Sequence, residues 1–116
     1  VYDPGVSGEA KPENLAHVLL IDGSVIGTIR IDLIDRTHAG LRLVAIDGKQ
    51  KSRGYGAWMI ARAEAIVRAY GRSEVVVNAS KPARAFYERQ GYRTGDWFDL
   101  TPIEPIMHVR LGKALA

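Results

Sequence analysis

The stretch Asp47-Gly48-Lys49-Gln50-Lys51-Ser52-Arg53-Gly54-Tyr55-Gly56 sets flexible glycines and cations immediately ahead of a segment with helical spacing. The first turn of a helix leaves backbone N–H groups without partners and carries a partial positive charge. A glycine there lets the backbone approach an anion with no Cβ in the way. The chemistry such a loop supports is capture of a phosphate or pyrophosphate, with Lys51 and Arg53 adding charge; the alternative is a solvated basic turn. Other phosphate loops do not fit. A Walker loop needs Gly-Lys-Ser/Thr after its glycines, and the dinucleotide fingerprint needs three spaced glycines.

A second informative run is Asn78-Ala79-Ser80-Lys81-Pro82-Ala83-Arg84-Ala85-Phe86-Tyr87-Glu88-Arg89-Gln90-Gly91-Tyr92. Read alone, its Phe86 and Tyr87 are ordinary core aromatics of a short helix. The means of taking a proton elsewhere are Asp32, Asp47, Glu74, His108 or a chain of waters, and the sequence does not choose among them. His17, His38 and His108 show no close ligand spacing with carboxylates, so no metal site is expected.

Together these two runs resemble the GNAT superfamily of N-acetyltransferases. Lys51 to Ala57 is similar to that family's Arg/Gln-x-x-Gly-x-Gly/Ala signature, with Lys51 standing where Arg or Gln is usual. The run from Asn78 is similar to its Asn-x-x-Ala-x-x-Phe-Tyr-x-x-x-Gly-Phe/Tyr segment through Ala83, Phe86, Tyr87, Gly91 and Tyr92, with Ser80 at the Asn position. Glu104 to Leu111 resembles the family's last strand. The motifs stand in the family's order, and the likeness runs from about His17 to Leu115.

The resemblance implies acetyl-CoA as co-substrate, lying in a V-shaped opening between Leu41–Asp47 and Glu74–Asn78. It implies cofactor contacts from the main chain of Val44, Ala45 and Ile46, from Lys51, Ser52, Arg53, Gly54, Tyr55, Gly56 and Ala57 at the pyrophosphate, and from Asn78, Ser80, Ala83, Phe86 and Tyr87. It makes Tyr87 the acid for the departing thiolate, and the acceptor a primary amine that attacks directly. A phenol ionises near ~10 and a thiol near ~8.5, so transfer needs no large shift. Family members usually begin with a further strand and one or two helices, for which residues 1–16 are too short. Those residues read as a poorly structured or remnant segment.

The elements that must position these groups follow from periodicity. His17–Ile21 and Val25–Ile34, joined at Asp22-Gly23, predict a β-hairpin. Arg36–Gly40 reads as a turn and Leu41–Asp47 as a third strand. Met59, Ala63, Ile66, Val67 and Tyr70 share one face of a helix over 55–70, stopped by Gly71. Glu74–Asn78 is a strand, and Lys81–Arg89 a short helix begun by Ser80 and Pro82. Tyr92–Phe98 and Ile106–Leu111 complete the set. Trp58 and Trp97 are assigned to the core. The expected fold is α/β (α+β), a mixed, mostly antiparallel sheet with a central strand-helix-strand crossover and helices packed on it, in one domain over residues 1–116.

Bulk properties narrow the function. The 116 residues contain no cysteine, which excludes a thiol nucleophile, thiolate metal sites and disulfides. The longest apolar runs are far shorter than a bilayer span and no secretory leader is visible, so a cytoplasmic protein without membrane contact is expected. A net charge of +3 spread among acids argues against nucleic acid. The expected function is therefore N-acetyl transfer from acetyl-CoA to an amine of a small molecule or peptide, by a chain able to form a homodimer. The rivals are a non-catalytic CoA-binding regulatory module and, behind it, a basic nucleic-acid-binding domain.

Overall fold

A computed structural model of the chain describes residues 13–21, 23–46 and 54–115. Strands β1 (Glu13–Ile21), β2 (Ser24–Leu33) and β3 (His38–Ile46) form an antiparallel meander. Helix α1 (Tyr55–Ala69) crosses to β4 (Glu74–Ser80), which pairs parallel with β3. A 3₁₀ turn (Lys81–Ala83) leads into α2 (Arg84–Arg89), then β5 (Arg93–Thr94) and β6 (His108–Ala114). The sheet order is β1-β2-β3-β4-β6-β5. The mixed, mostly antiparallel sheet with its central crossover is as expected. No described helix is long and apolar enough to cross a membrane.

The core lies between α1 and one sheet face. Ile29, Ile31 and Leu33 of β2, Ala39 and Leu41 of β3, Val75, Val77 and Ala79 of β4, and Leu111 of β6 point towards Met59, Ile60, Ala63 and Val67. This is the period-2 rule meeting the period-3.6 rule, and each large apolar side chain so buried is worth about 1.5–3 kcal/mol. The helix face is rotated from the expected one. Ile60 and Glu64 are buried, while Tyr70 is 46% exposed because it caps the helix end instead of continuing it. Trp58, assigned to the core by sequence, is 52% exposed with the Arg62 guanidinium 5.7 Å from its ring.

Several boundaries move for identifiable reasons. The first strand begins at Glu13, so residues 13–16 are sheet and not remnant; residues 1–12 lie outside the described residues. The expected turn at Arg36–Gly40 closes earlier because the Asp35 carboxylate accepts the Thr37 and His38 N–H groups at 2.8 and 2.7 Å, which lets β3 start at His38. The strand expected over Tyr92–Phe98 survives only as Arg93–Thr94. There the Trp97 indole N–H donates to the Arg93 carbonyl at 2.8 Å and bends the chain off the sheet edge. The last strand starts two residues late because Glu104 closes a turn, its carboxylate accepting the N–H groups of Ile106 and Met107 at 3.0 and 2.8 Å.

Candidate active site

The parallel ladder between β3 and β4 runs only from His38 opposite Glu74 to Leu41 opposite Val77. Both strands continue, β3 to Ile46 and β4 to Ser80, without pairing to each other. An open cleft of about 540 Å³ begins where the ladder ends, lined on its strand walls by Leu41, Arg42 and Val77 to Ser80. β4 keeps β6 along its whole length, so this wall is braced from behind.

The other wall carries a feature that alternation did not reveal. Thr28 faces Ala45 and Arg30 faces Arg42, so two residues of β3, Leu43 and Val44, stand opposite Ile29 alone. Such a bulge leaves one residue out of the ladder and increases local twist. It falls at the main-chain stretch Val44, Ala45 and Ile46 that the resemblance marks for the co-substrate.

The two sequence motifs meet physically. Gly54 takes φ +80°, a left-handed conformation natural to glycine, and its carbonyl accepts the Trp58 N–H at 3.0 Å to open α1. Among the described residues no side chain caps this helix start, and no acid lies in its first turn. The N–H groups of Tyr55, Gly56 and Ala57 thus keep the polarity that suits an anion. The Phe86 ring packs directly over Gly56, where an added Cβ would sit 3.1 Å from it. Asp47, Lys51, Ser52 and Arg53 lie outside the described residues.

Tyr87 and Ala83 line the cleft on the α1 side of the sheet. Tyr87 is 6% exposed, its ring set edge-on against Phe86 and Tyr92 at centroid distances of 5.1 and 5.9 Å. Burial pushes its phenol up to about 12, above the ordinary value near which transfer to a thiolate is expected to proceed. The folded chain then keeps the Tyr87 proton where the unfolded chain loses it. This contribution to stability is complete below about pH 10 and is lost as pH rises towards 12, amounting to about 2–3 kcal/mol. Tyr92, also raised by burial and by Glu64, adds to the loss. Urea titrations at pH 8 and pH 11 should show the drop, and Tyr87→Phe should make it smaller.

Asn78 and Ser80 alternate to the opposite sheet face. The Asn78 carbonyl oxygen accepts the Arg110 Nε–H at 3.0 Å, while Ser80 is exposed at the cleft and forms no capping bond to the turn that follows it. Of the possible bases, Glu74 contacts the His38 ring at 3.2 Å at the closed end of the ladder, and Asp32 is held by Arg30 and Arg42. Only His108 among the described candidates lines the cleft, on the face opposite Tyr87. Sequence reasoning passed over Arg42, whose guanidinium binds Asp99 with two bonds of 2.7 Å. A partner 57 residues away leaves no local signal. Among the described residues no group of three or more His, Asp or Glu is disposed to hold a metal ion.

The sequence matches the acetyltransferase (GNAT) family over residues 4–92. The chain belongs to this family. Solved structures similar to this GNAT domain include Tetrahymena GCN5, at 14% identity and a TM-score of 0.78, with 89% of this chain and 69% of that one aligned. A Streptococcus agalactiae acetyltransferase aligns at 24% identity and TM-score 0.74, over 88% and 67%. A GNAT acetyltransferase from Elizabethkingia anophelis, solved with acetyl-CoA bound, aligns at 13% identity and TM-score 0.72, over 86% and 75%. At these identities the likeness is one of fold. Comparison with curated protein sequences finds no match.

Proposed function

We propose that this GNAT domain transfers an acetyl group from acetyl-CoA to a primary amine of a small molecule or peptide by direct attack. The observation that carries the reading is the parallel ladder that stops at Leu41 and Val77 and opens into a cleft reaching both faces of the sheet. A donor can enter from the α1 side and an amine from the other. On the side where β3 no longer pairs with β4, its main chain around Val44, Ala45 and Ile46 would supply donors and acceptors for the amides of the pantetheine arm. The uncapped start of α1, at Gly54 to Ala57, suits the pyrophosphate, and by the family motif Lys51, Ser52 and Arg53 belong to the same contact. Ala83 and Phe86 shape the wall, and Asn78 and Ser80, expected from the resemblance to meet the cofactor, stand on the other sheet face and would instead offer polar groups to the acceptor.

Bound acetyl-CoA would supply the activated acyl group. Tyr87 would face the departing sulfur, while the amine's proton leaves on the side that holds His108. Kinship with the Elizabethkingia protein, which binds acetyl-CoA, supports the donor. A cytoplasmic location goes with that donor. Homodimerisation belongs to the reading too, supported by the exposed apolar side chains of Leu100, Ile106 and Met107.

Calorimetric titration with acetyl-CoA tests the donor site. The chain should bind with micromolar affinity, and Gly56→Val, which drives a side chain against Phe86, should weaken binding by about tenfold or more. Equal binding by both would remove the helix start from the site.

A further inference from the structure

Between β5 and β6 the chain runs across the sheet face opposite α1, touching β6 through Trp97 and Arg110 and β3 through Phe98 and Asp99. We propose that Arg42 is a positioning residue for the acceptor, pinning this strap so that Thr101 to Glu104 form the acceptor wall of the cleft. The inference rests on the amine-acetylation reading given above.

Arg42 follows Leu41, the last β3 residue paired with β4, and so stands where the cleft begins. Its Nη1 and Nη2 each donate to Asp99 at 2.7 Å, Nε donates to Asp32 at 3.2 Å, and Nη2 also reaches the Thr101 hydroxyl at 3.2 Å. One guanidinium thereby joins β2, β3 and the strap. The Asp99 side chain is wholly excluded from solvent. A forked ion pair of this kind fixes orientation as well as distance, which a lysine ammonium does not.

The sheet is cut to receive it. A side chain at Gly40 would lie 2.7 Å from the Arg42 guanidinium, so the bare glycine is what lets that group settle over the strand. Trp97 rests on Gly112 in the same manner, with no room for a Cβ between them. Arg110 adds a third tie, donating to the Thr101 carbonyl and to Asn78. From these anchors the strap presents Pro102, Ile103 and Glu104 to the cleft that Ser80 and His108 also line. Among the described residues no hydrogen bond or ion pair joins Arg42 or Asp99 to Gly54, Gly56 or Phe86 on the donor side.

The test uses the full chain with Asp99→Asn and Arg42→Lys, each a conservative change that keeps a polar group at its position. Steady-state kinetics are measured with spermidine, a lysine-containing peptide and an aminoglycoside, and acetyl-CoA binding is measured by calorimetry. In both variants the KM for the amine should rise about tenfold or more while acetyl-CoA affinity stays within about twofold. The double variant should be little worse than either single one, because both changes break the same pair. An unchanged amine KM overturns the proposal, as does a parallel loss of acetyl-CoA binding, which marks a role in the fold at large. If the unaltered chain binds acetyl-CoA but acetylates none of the three amines, the amine reading falls and this proposal falls with it.

Discussion

Replacing Tyr87 with phenylalanine should slow acetyl transfer by about 100-fold while acetyl-CoA affinity stays within about twofold. The substitution removes one oxygen and leaves a ring of the same shape between Phe86 and Tyr92, so packing is kept and the hydroxyl alone is tested. Burial holds the phenol at about 12, whereas a departing thiol ionises near ~8.5. Complete transfer to a solvated thiolate would thus run uphill by about 5 kcal/mol. On the proposed reading Tyr87 would serve as a donor of a hydrogen bond to the developing charge, with the proton moving only as the carbon–sulfur bond parts and a desolvated sulfur becomes more basic. Rate profiles should accordingly show no ionisation of Tyr87 below about pH 11. Turnover by Tyr87→Phe within about threefold of the unaltered chain would take the hydroxyl out of the reaction.

Lys113→Met should cost about 3 kcal/mol of stability, measured by urea denaturation at pH 7. Glu64 on the inner face of α1 is 6% exposed, accepts the Tyr92 hydroxyl at 2.8 Å and is paired with Lys113 Nζ at 3.1 Å. Lys113 also donates to the Gln90 carbonyl at 2.9 Å, so the cluster ties α1, the end of α2 and β6 together. Removing the ammonium leaves a buried carboxylate with a single neutral donor, and that lone charge is the source of the cost. Adding Glu64→Gln to Lys113→Met should recover most of the loss, since an amide still accepts from Tyr92. A single-variant cost below about 1 kcal/mol would show that water reaches Glu64 freely.

The sequence disclosed what is local. Gly54, Gly56, Phe86 and Tyr87 were legible because a loop ahead of a helix and a helix behind a strand each carry their own spacing, and the contact of Phe86 with Gly56 follows from folding the two motifs together. The crossover was legible for the same reason. Hidden were the features set by partners far along the chain. The bulge at Leu43 and Val44 is a mismatch between two strands, and neither strand's alternation contains it. Glu64 carries no local signal of burial, because its partners Tyr92 and Lys113 arrive from elsewhere in the chain. Residues 95–98 read as strand because their aromatics favour sheets, yet Trp97 packs across the face on Gly112 and the Asp99 that follows is held by Arg42.

The short ladder between β3 and β4 also has a mechanical meaning. It divides the sheet into two leaves of three strands, β1-β2-β3 and β4-β6-β5, joined by four facing residue pairs and roofed by α1. The first leaf closes through hairpin-length connections, the cheapest kind of loop to form, and the leaves meet over a seam too short to make them one stiff plate. A molecule lodged in the seam would therefore act as a splint, coupling the twist of one leaf to that of the other.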